Sequence, residues 1–180
     1  MRKDIFVTPI YETEVDLDKI DIPESDFSPT WESGVLTTYA DQACPTEETF
    51  QYLAGFVRDY LDSLGGSWQK LHFLDVWRNK YDPKMYQGYH IHPESQLSYI
   101  IYESVESKTV FLNPSMALIQ NQIGRTGVPS MPLYYEPELS AGNMIIFPSY
   151  IGHQVRPGNT GVTISGNIGV TFSNEIPYDI

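Results

Sequence analysis

At 180 residues, 41% of them apolar and 13% aromatic, the chain is large enough to bury a core without staples and is not a disordered polymer. Its net charge of −12, from 11 basic and 23 acidic residues, argues against a broad surface for nucleic acid or anionic membrane, because phosphates would be repelled. A lone cysteine, Cys44, rules out an internal disulfide, the start Met1-Arg2-Lys3-Asp4 leads into no apolar signal region, and no uncharged apolar run approaches the length of a membrane span. The chain reads as a cytosolic protein with one domain over residues 1–180.

In chain order, Ile5 to Val15 alternates β-branched and aromatic residues as an opening strand does, and Ile20 to Thr30, with Pro23 and Pro29, reads as loop. Glu47 to Leu64 is the strong helix. Phe50, Leu53, Ala54, Val57, Tyr60, Leu61 and Leu64 recur at spacings of three and four, and Gly65-Gly66 stops it. Short β-like runs follow: Leu71 to Arg78, Tyr86 to His92, Leu97 to Glu103, Thr109 to Leu112, Leu133 to Glu136, Met144 to Phe147 and Val162 to Phe172. Residues 113 to 132 form a polar insert with few strand signals, of a length that suits a lid or binding segment. The expected class is mainly β: a double-sheet barrel of the jelly-roll, cupin-like kind with a flanking α-helix.

Metal-ligand chemistry concentrates at two places. Two of the four histidines, His90 and His92, stand at i and i+2, and on a strand such residues face the same way. His153 lies 61 positions further on, just past the Met144 to Phe147 strand and a turn at Pro148-Ser149. Two ligands from one strand and a distant one from another build a facial site with open positions. Glu94, at i+2 from His92, offers a two-histidine, one-carboxylate alternative, although Pro93 tends to end regular pairing and turn it away. The preferred set is His90, His92 and His153. His72, flanked by Leu71, Phe73 and Leu74, reads as a packing residue, and Trp77, Phe111 and Phe147 read as core.

The run His-x-His-Pro-x-Ser-x-Leu-Ser-x-x-x-Tyr, His90 to Tyr102, resembles the centre of a group of 2-oxoglutarate- and iron(II)-dependent oxygenases of bacteria and marine phages. Phe111-Leu112-Asn113-Pro114 and the segment Gly142 to Pro157, with its Phe-Pro-Ser-x-x-x-His-x-Val-x-Pro core, continue the resemblance, as do Ile5 to Ile10 and Trp77-x-Asn79. The resemblance implies a double-stranded β-helix holding iron(II) at one mouth, with 2-oxoglutarate as co-substrate and succinate and CO2 as co-products. It implies a small-molecule or peptidyl substrate, with Tyr86, Tyr99, Asn113 and Ser165 as candidate co-substrate contacts.

One departure stands out. The family's Arg-x-Ser, whose arginine forks the far carboxylate of 2-oxoglutarate, corresponds here to Thr163-Ile164-Ser165. Arg156 is the nearest substitute and Lys108 another. The missing arginine favours a second reading, a three-histidine cupin-type enzyme that does not use 2-oxoglutarate; a third is a non-catalytic jelly-roll module. Edge strands leave room for a homodimer. A hydrolase finds no support, since Ser149 lies in no Gly-x-Ser-x-Gly elbow and Cys44 has no histidine nearby. Neither a thiolate zinc site nor a phosphate-binding loop is present in the sequence.

Overall fold

The computed structural model describes residues 7–29, 33–41, 44–65, 67–123 and 132–172. In chain order the strands are β1 (Tyr11–Glu14), β2 (Ser28–Pro29), β3 (Leu36–Thr37), β4 (Trp68–Tyr81), β5 (Gln87–His90), β6 (Leu97–Tyr102), β7 (Thr109–Leu112), β8 (Tyr134–Tyr135), β9 (Asn143–Pro148), β10 (His153–Val155) and β11 (Gly161–Phe172). Among the described residues two α-helices, α1 (Glu47–Ser63) and α2 (Met116–Ile123), and a short 3-10 turn at Leu17–Lys19 interrupt them. A seven-stranded sheet in the order β1-β9-β6-β11-β4-β3-β2 packs against a four-stranded sheet in the order β5-β10-β7-β8. All pairings are antiparallel, and the architecture is a jelly roll.

α1 forms where the 3.6-residue period predicts. Thr46 caps it by accepting the Thr49 amide at 3.3 Å, and Glu47 and Glu48 place negative charge in the first turn, where the helix dipole favours it. Its stop residue Gly65 has φ +69°, a conformation open to glycine; Gly66 lies outside the described residues. The buried stripe Leu53, Val57, Tyr60 and Leu61 packs on the outer face of the large sheet, against Leu97, Ile101, Met144, Ile146, Ile164 and Ile168.

Strand periodicity divides the core in two. On β9, Met144 and Ile146 turn toward α1, while Ile145 and Phe147 join Ile100, Tyr102, Phe111 and Ile151 between the sheets. β4 and β11 carry a different interior row. Their register sets Trp77 opposite Ser165, Asn79 opposite Thr163 and Asp75 opposite Asn167. One half of the interior is therefore aromatic and aliphatic, and the other half polar.

Gly166 permits a close approach. A Cβ there would come within 2.7 Å of the Asp75 carbonyl and 2.5 Å of the Tyr99 hydroxyl. Gly166→Ala is expected to cost about 1–3 kcal/mol through overpacking against backbone. Gly152→Ala, whose Cβ meets only the outer end of the exposed Tyr89 ring, should cost well under 1 kcal/mol because that ring can swing away. Urea denaturation of the two variants checks the contrast.

His153 follows the end of β9 and its turn, as expected, and opens β10. Two sequence expectations change. β5 closes at His90, leaving His92 beyond it. The 113–132 insert contains α2, and its Gly124 to Ser130 portion, including Arg125, lies outside the described residues.

Candidate metal centre

His90 and His153 are cross-strand partners of the β5–β10 pair, and their ring centroids stand 4.2 Å apart. His92 reaches the same point from outside the strand, its ring parallel to that of His153 at 5.1 Å. One nitrogen from each of the three rings lies within 4.8 Å of the others, and Glu94 is not in the group. Instead, Glu94 sits exposed on a turn with φ +68°, which takes its carboxylate away from the rings. The preferred set of three histidines is the one brought together, and the alternative that included Glu94 is not.

Serines hold His92 in place without a strand. Its amide donates to the Ser149 carbonyl at 3.1 Å, and the Ser95 hydroxyl donates to the His92 carbonyl at 3.2 Å. Ser95 and Ser98 both meet the fully buried Ser149 hydroxyl at 2.8 Å, and Ser98 donates to Asn167 Oδ1 at 2.8 Å. The serines of the His90–Tyr102 motif thus serve the loop that carries the second imidazole. Sequence reasoning missed this role; the signal was their recurrence at three-residue spacing after His92.

The tautomers follow from the backbone. His90 Nδ1 lies 2.8 Å from the Gly88 carbonyl and His153 Nδ1 lies 3.1 Å from the Ile151 carbonyl. A carbonyl only accepts, so both Nδ1 atoms carry the proton and both Nε2 atoms present a lone pair. This is the outer-shell arrangement that orients metal-ligating imidazoles. His92 Nε2 and His153 Nε2 are 3.3 Å apart. Two imidazoles bound to one ion at about 2.1 Å would set their nitrogens roughly 3 Å apart, so the donor set fits a divalent first-row cation.

Burial keeps these rings neutral. It pushes His92 down to about 4, with the neighbouring His90 adding to the shift, and His153 down to about 3, again with a contribution from His90. His90 is lowered by burial as well, against the opposing effect of its Gly88 bond. Below the ordinary value of 6.5 the unfolded chain takes up protons that the folded one refuses. Metal-free stability should therefore be complete above pH 7 and fall as pH drops from about 6.5 toward about 4, by on the order of 3 kcal/mol for each of His92 and His153. Melting temperatures of the metal-free protein between pH 7.5 and 4.5 check this.

Beneath the rings is an inner space of about 20 Å³, room for an ion or a water, whose lining includes Asn79, Tyr99, Thr163 and Ser165. Trp77 lies between this space and an outer cleft of about 920 Å³ that also reaches His90 and His92, and stacks on His92 at 5.7 Å. Two buried polar atoms of residues that line the inner space, Trp77 Nε1 and Asn79 Oδ1, have no hydrogen-bond partner. Asn79 and Trp77 escaped the sequence reading as site residues, although polar residues alternating through β4 and β11 were the signal.

The other sequence candidates divide. Ser165 and Tyr99 line the inner space, although the Tyr99 ring packs with the α1-side cluster and against Phe73. Tyr86 is half exposed on the outer cleft wall. Asn113 faces away, its amide donating to the Pro132 carbonyl and its oxygen accepting the Ser115 amide. Arg156 pairs with Glu136 at 2.8 Å, and Lys108 with Glu106 at 3.7 Å. Both point outward because their strand neighbours Val155 and Thr109 take the interior positions. Among the described residues, no lysine or arginine lines the inner space.

Comparison with known proteins agrees with this geometry. No curated protein matches the chain in sequence. Its fold is similar to that of an oxidoreductase of the 2OG-Fe(II) oxygenase family from Burkholderia pseudomallei, at 11% identity and TM-score 0.50 over 75% of this chain and 68% of that one. It is similar to HygX from Streptomyces hygroscopicus, solved with nickel, 2-oxoglutarate and hygromycin B, at 11% identity and TM-score 0.50 over 90% and 82%. SnoN, a non-heme alpha-ketoglutarate-dependent epimerase from nogalamycin biosynthesis, shares the fold at 13% identity and TM-score 0.51 over 80% and 66%. The family described as "Putative 2OG-Fe(II) oxygenase" matches residues 75–167, a span that holds all three convergent histidines and more than half of the chain. The chain therefore belongs to the 2OG-Fe(II) oxygenase family.

Proposed function

We propose that residues 1–180 form one catalytic unit, an iron(II)- and 2-oxoglutarate-dependent dioxygenase that hydroxylates a small-molecule or peptidyl substrate. Its balanced reaction is R–H + O2 + 2-oxoglutarate → R–OH + succinate + CO2. The observation that carries the reading is the convergence of His90, His92 and His153, the first and last with an Nε2 lone pair set free by a backbone carbonyl on Nδ1. Iron(II) held there supplies the redox chemistry that couples oxidative decarboxylation of the co-substrate to oxygen insertion.

The chain's own residues bind, orient and exclude water. Phe147 and Phe111, within 5.0 Å and 5.7 Å of the His153 ring, keep the aromatic side of the centre dry. On the polar side, Trp77 Nε1–H awaits an acceptor. The Asn79 amide is assigned by its network, and flipping it would present a donor to the same space. Together with Thr163 and Ser165, these neutral groups take the part assigned by resemblance to an arginine. A five-carbon diacid exceeds the inner space, so the side chains there give way when it binds or it extends into the outer cleft.

The absence of a cation from that lining, among the described residues, favours a second reading: a three-histidine oxygenase that does not take 2-oxoglutarate. Anaerobic binding of 2-oxoglutarate to the iron(II)-loaded protein, followed by succinate release on admitting air, separates the two. The leading reading expects one equivalent bound and succinate formed, with both lost in His90→Ala. Iron binding without any 2-oxoglutarate binding would sink it.

A further inference from the structure

Two of the three imidazoles owe their free nitrogen to the backbone, and the third does not. Carbonyl oxygens face Nδ1 of His90 and of His153, whereas among the described residues no carbonyl does so for His92. Its Nε2 is turned toward His153 Nε2, 3.3 Å away, which leaves Nδ1 for any further partner. The side chain within hydrogen-bonding reach of that ring is Asn167.

Asn167 stands on β11, the middle strand of the large sheet, and is 8% exposed. Its cross-strand neighbours are Asp75 on β4 and Ser98 on β6. The β4–β11 register shifts at this point. Asn167 pairs with Asp75 and Ile168 with Phe73, so Leu74 bulges out, exposed. Bulges of this kind re-aim side chains beside functional sites. Here the Asp75 carboxylate accepts the Asn167 backbone amide at 3.1 Å and its side-chain N–H as well. A carboxylate only accepts, so the amide nitrogen lies toward Asp75. Ser98, whose hydroxyl donates to Asn167 Oδ1 at 2.8 Å, agrees with that orientation and leaves the oxygen one lone pair.

The contacts close into a ring. The His92 amide donates to the Ser149 carbonyl, the Ser149 hydroxyl meets Ser98, and Ser98 reaches Asn167 beside the His92 imidazole. An ion that takes the His92 Nε2 lone pair requires the proton on Nδ1, and that proton requires an acceptor. Of the two ends of the Asn167 amide, only the oxygen can serve.

We propose that Asn167 is a positioning residue of the three-histidine centre: Oδ1 accepts the His92 Nδ1 proton and so keeps the Nε2 lone pair on the ion. Asp75 and Ser98 act one step further out, by fixing which end of the amide faces the imidazole. The inference rests on the metal centre and not on the co-substrate, so the succinate experiment stands or falls separately.

The test uses zinc as a redox-inactive ion and needs no turnover. Long-range proton–nitrogen NMR of the zinc-loaded, nitrogen-15-labelled protein should show His92 with its proton on Nδ1 and zinc on Nε2. Zinc bound through His92 Nδ1 would overturn the proposal whatever the variants do. Asn167→Leu, close in volume but without an acceptor, should lower zinc affinity by about 10–100-fold. It should also speed the exchange of the His92 Nδ1 proton with water. The swapped pair, Asp75→Asn together with Asn167→Asp, keeps the charge and every donor and acceptor in place with the side-chain bond reversed. It should recover most of the affinity lost in the leucine variant. Unchanged zinc affinity in a folded Asn167→Leu protein, checked by circular dichroism, overturns the proposal. A swapped pair that binds zinc as weakly as the predicted leucine loss overturns it too, because packing and not the oxygen would then be at work. Should the leucine variant fail to fold, the wild-type spectrum and the swapped pair decide.

Discussion

His153→Ala should lower the affinity for iron(II), or for zinc as a redox-inactive substitute, by on the order of 10²–10³-fold. Removing one of three ligands from a weakly redundant site costs several kcal/mol, and each 1.4 kcal/mol is tenfold. His153 is the most deeply placed of the three, 2% exposed, and its tautomer is fixed by the Ile151 carbonyl. Its loss leaves His90 without its cross-strand partner and His92 without the nitrogen 3.3 Å away. His72→Ala is the control, because His72 is exposed on β4 and belongs to no convergent group. Anaerobic calorimetric titration of both variants, with circular dichroism to verify folding, checks the result. Equal metal affinity in the two variants would remove the basis for a three-histidine centre.

Phe147→Ala should destabilise the protein by about 3–5 kcal/mol, the usual cost of deleting a fully enclosed aromatic side chain. Phe147 has no exposed surface and meets Phe111 at 4.8 Å and an interplanar angle of 67°. It also packs edge-on against His153 at 5.0 Å and against His92 at 6.5 Å. Metal affinity should therefore fall along with the denaturation midpoint. Phe147→Leu retains most of the volume and should cost less than about 1.5 kcal/mol while still releasing the rings. A leucine variant with normal stability and weakened zinc binding would separate the packing role from the orienting role. Chemical denaturation and zinc titration of both variants supply the measurements.

Much of the framework was legible before any coordinates. Thr109 to Leu112 coincides with β7, and Glu47 to Leu64 overruns α1 by one residue, because in both segments the apolar period and the flanking turn chemistry agree. β2 and β3 escaped because two-residue strands leave no period to read. α2 escaped because Met116 to Ile123 lies in a segment whose polar composition signals loop. The histidines were found by scarcity and spacing, yet the stated reason was only half right. His90 is on a strand, whereas His92 reaches the site through a serine-braced turn.

Arg156 shows where linear reasoning stops. It stands three positions from a ligand, and spacing made it the natural counter-charge for a carboxylate. Strand parity decides otherwise, because Val155 takes the inward position and Arg156 meets Glu136 outside. Trp77 shows the converse. Its size and neighbours mark it as core, which it is, but one edge of the ring also separates the inner space from the outer cleft.

By itself the amino-acid order determined α1, most of the longer strands, the jelly-roll class and the identity of the three histidines that converge, because period, turn residues and rare side chains are local properties. Only the folded chain decided which nitrogen of the His90 and His153 rings is free, that Glu94 stays out of the converging group, and that carboxylates and tyrosines share one cleft. Those outcomes depend on register between strands as far apart as β5 and β10, and on which carbonyl lies beside which ring. Such pairings exist only once two sheets have closed on each other.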